Sequence, residues 1–229
     1  PPDRSSDHNR PRTARNGRPE EWGYGLMRPF QSGFTRGLVG VGVDAHAYLG
    51  VKLDSGGGRA GKARLLAVDN DGHPQSDYSR AGAAVKLRIA NTVLTYGEQR
   101  VKTPVFSASD SRLLPETFTG FFLASEELEA LRLVAGHFTE NADRNASSHG
   151  RGFAVNYSNG RQGNQVDLAG AIWTASPAFS ASLYTSRYED TWNQHYLGST
   201  LSHALDEQRS VSLDLNLYRT TDTGKALSG

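Results

Sequence analysis

Lys86 and Arg88 lie one residue apart, and the apolar residues Ala81, Ala83, Val85, Leu87 and Ile89 alternate with that side of the chain. In an extended segment this spacing puts both cations on one face. Two guanidinium or ammonium groups in a row can form a track for carboxylates. They can also be two solvated cations on an outer wall, or pair with Asp44 or Asp167. Arg132 repeats the pattern more weakly, opposite Leu131 and Leu133. Tyr184 lies on the polar side of its segment, between Ser182 and Ser186.

Other chemistry-bearing groups fail on spacing. Gly56 to Ala63 imitates a phosphate-binding loop, but Ala63 stands where a hydroxyl must hold magnesium and no helical pattern follows. Asp69-Asn70-Asp71-Gly72 looks like part of a calcium loop, but Ala67 occupies the first ligand position. The seven histidines show no paired metal spacing. His137, Asp190 and a serine make a hydrolase triad on paper, which is the remote alternative of a serine-type peptidase. No G-x-S-x-G elbow supports it. With no cysteine, a disulfide scaffold, a thiolate metal site and a cysteine nucleophile are excluded. No cofactor is implied. Lys plus Arg total 25 against 24 Asp plus Glu, a net charge of +1, which argues against nucleic acid as a partner.

The elements that position these groups are strands. From residue 38 to residue 53, Val39, Val41, Val43, Ala45, Ala47, Leu49, Val51 and Leu53 alternate with Leu38, Gly40, Gly42, Asp44, His46, Tyr48, Gly50 and Lys52. A helix would scatter the apolar set around its circumference. The run exceeds the usual globular strand of about 5–6 residues. Similar alternation recurs at 81–90, 131–136, 166–173, 179–186 and 211–218. There Val166, Leu168 and Ile172 read as the apolar side opposite Asp167, Ala169, Ala171 and Trp173. About eleven strands are expected in all. Short connections near 31–36, 90–92, 125–130 and 176–177 contrast with long ones at 54–78, 100–118 and 139–151. Residues 1–20, with five arginines among Pro, Ser and Asn, read as an exposed arm. The chain opens on Pro1 with no leader pattern, so any signal peptide is expected to lie outside it.

Two all-β architectures fit. A soluble β-sandwich binding module would turn the apolar faces inward. An antiparallel transmembrane β-barrel would turn them to lipid, with the polar faces lining water. Strand length favours the barrel. So do apolar faces built mainly from Val, Leu and Ala, and aromatics gathered near strand ends: Trp22, Tyr24, Phe34, Tyr78, Phe121, Phe122, Tyr188, Trp192, Tyr196 and Tyr218.

The motifs then point to a family. Gln31-Ser32-Gly33-Phe34-Thr35 leads into Val39-Gly40-Val41-Gly42-Val43-Asp44-Ala45. Then come Asp77-Tyr78-Ser79-Arg80, Lys86-Leu87-Arg88-Ile89, Ser111-Arg112-Leu113-Leu114-Pro115-Glu116-Thr117, Ala135-Gly136-His137-Phe138-Thr139-Glu140 and Tyr218-Arg219-Thr220. Over residues 21–229 the chain resembles the OprD-type substrate-specific outer-membrane porins, most of all the subgroup taking up basic amino acids. The resemblance implies a barrel of about eighteen strands, of which this chain would be an incomplete part. It implies selective passive uptake of small solutes carrying a carboxylate, basic amino acids and small peptides among them, and no catalysis. The partners implied are those solutes, the lipid bilayer and lipopolysaccharide of the bacterial outer membrane, with the protein a monomer or homotrimer.

The resemblance also implies that residues 101–118 fold inward as a constriction, with Ser111 and Arg112 presenting a hydroxyl and a guanidinium at the eyelet. Arg112 would attract the solute carboxylate, or pair with Asp110 or Glu116 to pin the loop. Tyr184 would line the eyelet or merely fill space. Lys86, Arg88 and Arg132 would form a basic track in the lumen.

Overall fold

A computed structural model describes residues 22–53, 65–67, 75–154, 162–206 and 208–226. The Arg-rich arm, the Gly56–Ala63 loop and the Asp69–Gly72 turn lie outside the described residues. The strands are β1 (Gly23–Gln31), β2 (Val39–Lys52), β3 (Asp77–Ile89), β4 (Thr92–Gln99), β5 (Thr117–Leu128), β6 (Leu131–Ala142), β7 (Gly150–Arg151), β8 (Phe153–Ala154), β9 (Gln162–Gly163), β10 (Val166–Ser176), β11 (Phe179–Tyr188), β12 (Trp192–Ala204) and β13 (Ser210–Asp222).

Ten long strands form one antiparallel meander in the order β1-β2-β3-β4-β5-β6-β10-β11-β12-β13. β7 adds to β6, and β8 pairs β9 in a separate ribbon. At one end the connections are short: residues 32–38, 90–91, 129–130, 177–178 and 205–209. Ala90 and Ala130 take positive φ there, of 48° and 59°, as tight hairpin turns require. At the other end lie the long connections 53–76, 100–116 and 143–165, with residues 189–191 the short exception. Outer-membrane barrels share this asymmetry of short periplasmic turns and long outer loops.

The burial decides between the two architectures. On β2 and β3, Val43 is 40% exposed and Leu87 42%, while Arg80 is 4% exposed and Glu98 of neighbouring β4 is 7%. Apolar side chains face outward and charged ones inward. A sandwich in water would lose the transfer free energy of its own aliphatic residues in this arrangement; a wall against hydrocarbon gains it.

Strand β10 departs from the expected facing. Val166 and Leu168 are buried on the inner side, in a cluster with Phe106, Phe118, Val134, Phe138 and Phe153. Ala169, Trp173 and the other residues of their parity face out. The reversal follows from the loops: where long connections cover the inner wall, that wall is dry and takes aliphatic residues. The aromatics near strand ends also divide. Tyr24 and Phe121 are exposed, as an interfacial girdle needs. Tyr78 is 2% exposed, and Tyr188 and Tyr196 belong to the inner face, so these three pack inside rather than at lipid.

Candidate functional site

The segment 100–116 runs across the inner face. Its first half is a small hairpin: Ala108 N donates to Val101 O at 2.8 Å, and Thr103 closes the tip on Phe106 O. Phe106 is thereby driven into an aromatic cluster, with ring centroids 4.2 Å from Phe118, 5.1 Å from Phe138 and 6.0 Å from Tyr188. Val105 O accepts from the Ser186 hydroxyl of β11 at 3.3 Å. The second half reaches the opposite flank of the sheet. Leu113 lies over β1, where a Cβ on Gly25 would come within 2.8 Å of the Leu113 carbonyl. Leu114 is fully buried beside Tyr48, Leu66 and Tyr78. One loop thus spans from β11 to β1 over the concave side.

What clips the loop down is a buried ionic cluster that the alternation of residues did not disclose. Arg80 of β3 donates from Nη2 to Pro115 O at 2.6 Å and from Nη1 to Asp143 O at 2.8 Å and Ala146 O at 3.3 Å. It therefore holds two long loops at once. Its Nε lies 3.4 Å from Glu98 Oε1. Glu98 also meets His46 at 3.2 Å and His149 at 2.7 Å, and accepts a short hydrogen bond from the Thr117 hydroxyl. His46 stacks on Tyr48 with centroids 4.5 Å apart. Strict alternation would leave Glu98 on the side of Tyr96, which faces out and touches Phe121. Gly97, at φ 129°, takes up the turn that brings Glu98 inward. A Cβ there would lie 2.7 Å from Ala84 Cα, so glycine alone fits. The inward facing of Arg80 and His46 was legible, Arg80 being on the parity of Lys86 and Arg88 and His46 on that of Asp44; the inward placing of Glu98 and the approach of His149 were not.

The residues expected at the eyelet are placed as follows. Ser111 and Arg112 are exposed on the inner loop. Ser111 Oγ accepts from Arg144 Nη1 at 2.9 Å and lies 3.2 Å from Ser109 Oγ. Among the described residues Arg112 donates only to the Ser111 carbonyl, at 2.9 Å. Neither expected carboxylate pairs with it. Asp110 binds Arg100 at 3.1 Å, and Glu116 accepts from Ser109 N at 3.0 Å. Burial pushes the Glu116 carboxyl above its ordinary range.

Lower on the wall, Lys86 pairs with Asp44 at 2.5 Å and donates to Ser32 O at 3.2 Å. The cations of Lys86 and Arg88 lie 5.2 Å and 4.6 Å from the Phe34 ring centroid. Lys86 is therefore neutralised, and Arg88 has no carboxylate partner among the described residues. Asp167 is not available to either: it pairs with His137 at 2.6 Å on the outward face. Arg132 sits at the short-turn end, 3.5 Å from Glu126, away from the loop. Tyr184 is on the inner wall over Gly170, next in a row to Tyr196 and Tyr218. The hydrolase triad does not assemble, because Asp190 lies in the β11–β12 turn and pairs with Lys225 at 2.9 Å.

Comparison with known proteins agrees with this geometry. The family described as outer membrane porin, OprD family, matches residues 4–229. That range takes in most of the Arg-rich segment, ahead of the residue 21 at which the motif resemblance begins. Porin D of Pseudomonas aeruginosa is 45% identical over 210 residues, which is 91% of this chain and 47% of the relative. The porin-like protein GalP of Pseudomonas putida is 42% identical over 136 residues, 59% of this chain and 33% of that one. The chain thus spans about half the length, or less, of these relatives. The crystal structure of Pseudomonas aeruginosa OpdK with vanillate superposes with a TM-score of 0.82 at 32% identity, over 91% of this chain and 54% of that one. Pseudomonas aeruginosa OccK9 (OpdG) gives 0.84 at 33% identity, over 90% and 53%. Inverted burial, an antiparallel meander and a family match over nearly all its length leave one conclusion: the chain belongs to the OprD family of outer membrane porins, of the bacterial outer membrane.

Proposed function

We propose that this chain forms the wall and constriction of a channel for selective passive uptake of small solutes bearing a carboxylate, with basic amino acids and small peptides the foremost candidates. The observation that carries the reading is Arg112. It stands exposed on a loop that crosses the concave face, with no carboxylate within ion-pair distance among the described residues. An unpaired guanidinium beside a hydroxyl is a site for a passing carboxylate, because its planar donors match that group. A channel needs such attraction to be weak enough for release, and an exposed single cation meets that need. Arg88 supplies a second stage nearer the short-turn end. Lys86, already bound to Asp44, contributes little net charge. The relative whose structure holds vanillate, itself a carboxylate, supports the same solute class. Preference for a basic side chain rests on the motif resemblance to the basic amino acid subgroup alone.

The test is reconstitution of the full-length protein in planar bilayers. Small stepwise currents are expected, with arginine and acetate both permeating. Arg112→Ala should slow carboxylate flux several-fold and shift the reversal potential toward cations. Unchanged liposome swelling rates with arginine, and an unmoved reversal potential, would refute the role of Arg112.

A further inference from the structure

Arg144 was not among the residues expected at the eyelet. It lies between β6 and β7, in the connection that follows Ala142 at the long-loop end. This connection is tied to the wall where Arg80 Nη1 donates to Asp143 O at 2.8 Å and to Ala146 O at 3.3 Å. It is also closed on itself, because Ala146 N donates to Asp143 O at 3.2 Å. That bond makes a tight turn of residues 143–146, with Arg144 at its second position. Both carbonyls at the ends of the turn are held by Arg80, so the Arg144 side chain departs from a fixed base.

From that base the guanidinium reaches onto the constriction loop. Its Nη1 lies 2.9 Å from Ser111 Oγ and 3.2 Å from Ser109 Oγ, and the two hydroxyls are 3.2 Å apart. A guanidinium only donates, so both oxygens act as acceptors toward it. The two hydroxyls carry two protons, and the bond between them uses one. Ser109 is half-buried and Ser111 exposed. With Ser109 donating to Ser111, the remaining proton belongs to Ser111 and points to the open side. Arg112 donates to the carbonyl of the same Ser111 at 2.9 Å. Two guanidinium groups carried by different loops therefore converge on one residue. Glu116 is within electrostatic reach of Arg144, but its Oε2 accepts from Ser109 N at 3.0 Å rather than from Arg144.

We propose that Arg144 is a specificity-determining residue of the channel: it sets the Ser111 hydroxyl as a donor toward the solute and supplies the second cation of a carboxylate site shared with Arg112. This role, which rests on the carboxylate uptake proposed above, makes the outer loop at 143–149 part of the filter and not only its cover. One solute oxygen takes the Ser111 proton, and the other meets the fork of Arg112. Arg144 acts one hydroxyl farther out, through Ser111 and through its charge. A cation set back in this way adds attraction without a second direct grip, which leaves the solute free to move on.

The experiment reads the concentration of L-arginine that half-blocks the current of the full-length protein in planar bilayers, with L-argininamide, which lacks the carboxylate, as the control. Arg144→Gln keeps a donor for the two hydroxyls and removes the charge, so the half-blocking concentration of arginine should rise about fivefold, the effect of one nearby unit charge in water. Arg144→Ala removes the donor as well and should raise it about tenfold. Arg144→Lys should restore most of the wild-type value. In every variant that loses the charge the value for argininamide should stay or fall, because only a like charge has been taken away from it. Hydrogen exchange at 143–149 shows whether the alanine variant has released its loop, and the glutamine variant then carries the test. A rise of equal size for arginine and argininamide would reduce Arg144 to a structural clip and overturn the proposal, as would wild-type block by arginine in the glutamine and alanine variants. Arg112→Ala keeps the two readings apart. If it weakens arginine block while the Arg144 variants do not, Arg144 has no such role and the uptake reading stands; if none of them weakens it, the uptake reading falls too.

Discussion

Replacing Arg80 by alanine isolates the contribution of the buried clip. Arg80 is 4% exposed and is the group that ties both Pro115 and the Asp143–Ala146 stretch to the wall. Its loss strands the Pro115 and Asp143 carbonyls and takes one cation from Glu98. Breaking a buried pair by removing one partner costs about 3–5 kcal/mol. Glu98 keeps His46, His149 and Thr117, so the lower end, about 3 kcal/mol, applies. At about 1.4 kcal/mol per factor of ten, the detached population of the two loops should rise roughly 100-fold. Hydrogen exchange on the full-length protein in detergent reads this directly at the amides of 101–116 and 143–149. Open-channel current noise should rise with it. Arg80→Lys should recover only part of the protection, because one ammonium cannot reach three carbonyls in a fork. If the alanine variant left loop protection within about threefold of wild type, equivalent to under 1 kcal/mol, the clip would be decorative and the reasoning wrong.

Three further outcomes test other parts of the account. Ala83→Arg, at an outward position midway along β3, should destabilise the barrel by about 2–4 kcal/mol, seen as a lower unfolding temperature on heated gels; no change would mean that this face does not meet lipid. Gly97→Ala should also destabilise, by about 2 kcal/mol or more, and should loosen loop 100–116, because the φ of 129° and the approach to Ala84 exclude a side chain. Glu116 gives a pH signature. Its folded value lies above the ordinary one, so the folded loop holds the proton more tightly than the detached loop does. The anchoring is then full below the ordinary glutamate range and declines as pH rises through the raised value. Exchange at 109–116, corrected for intrinsic rate, should increase over that interval, and Glu116→Gln should abolish the dependence.

The strand wall was readable because its signal is local. Period-2 alternation over residues such as Val39 to Lys52 states which side chains share a face, and the contrast of short and long connections states which end is which. The inward placing of Lys86 and Arg88 followed from the same rule. The rule failed at Gly97, where a positive φ rotates Glu98 to the other face, and at Val166 and Leu168, where loops dry the inner wall. The named eyelet residues Ser111 and Arg112 came from likeness of motif, not from periodicity, since a loop has none.

By itself the sequence determined a β-wall with two chemically distinct faces, because alternation is a property of neighbours along the chain. Only the tertiary structure decided which cations are already spent on Asp44 or Glu98 and which, like Arg112, stand unpaired among the described residues. Those partners lie on neighbouring strands, Asp44 on β2 and Glu98 on β4, and no spacing along one strand encodes a contact made to the next.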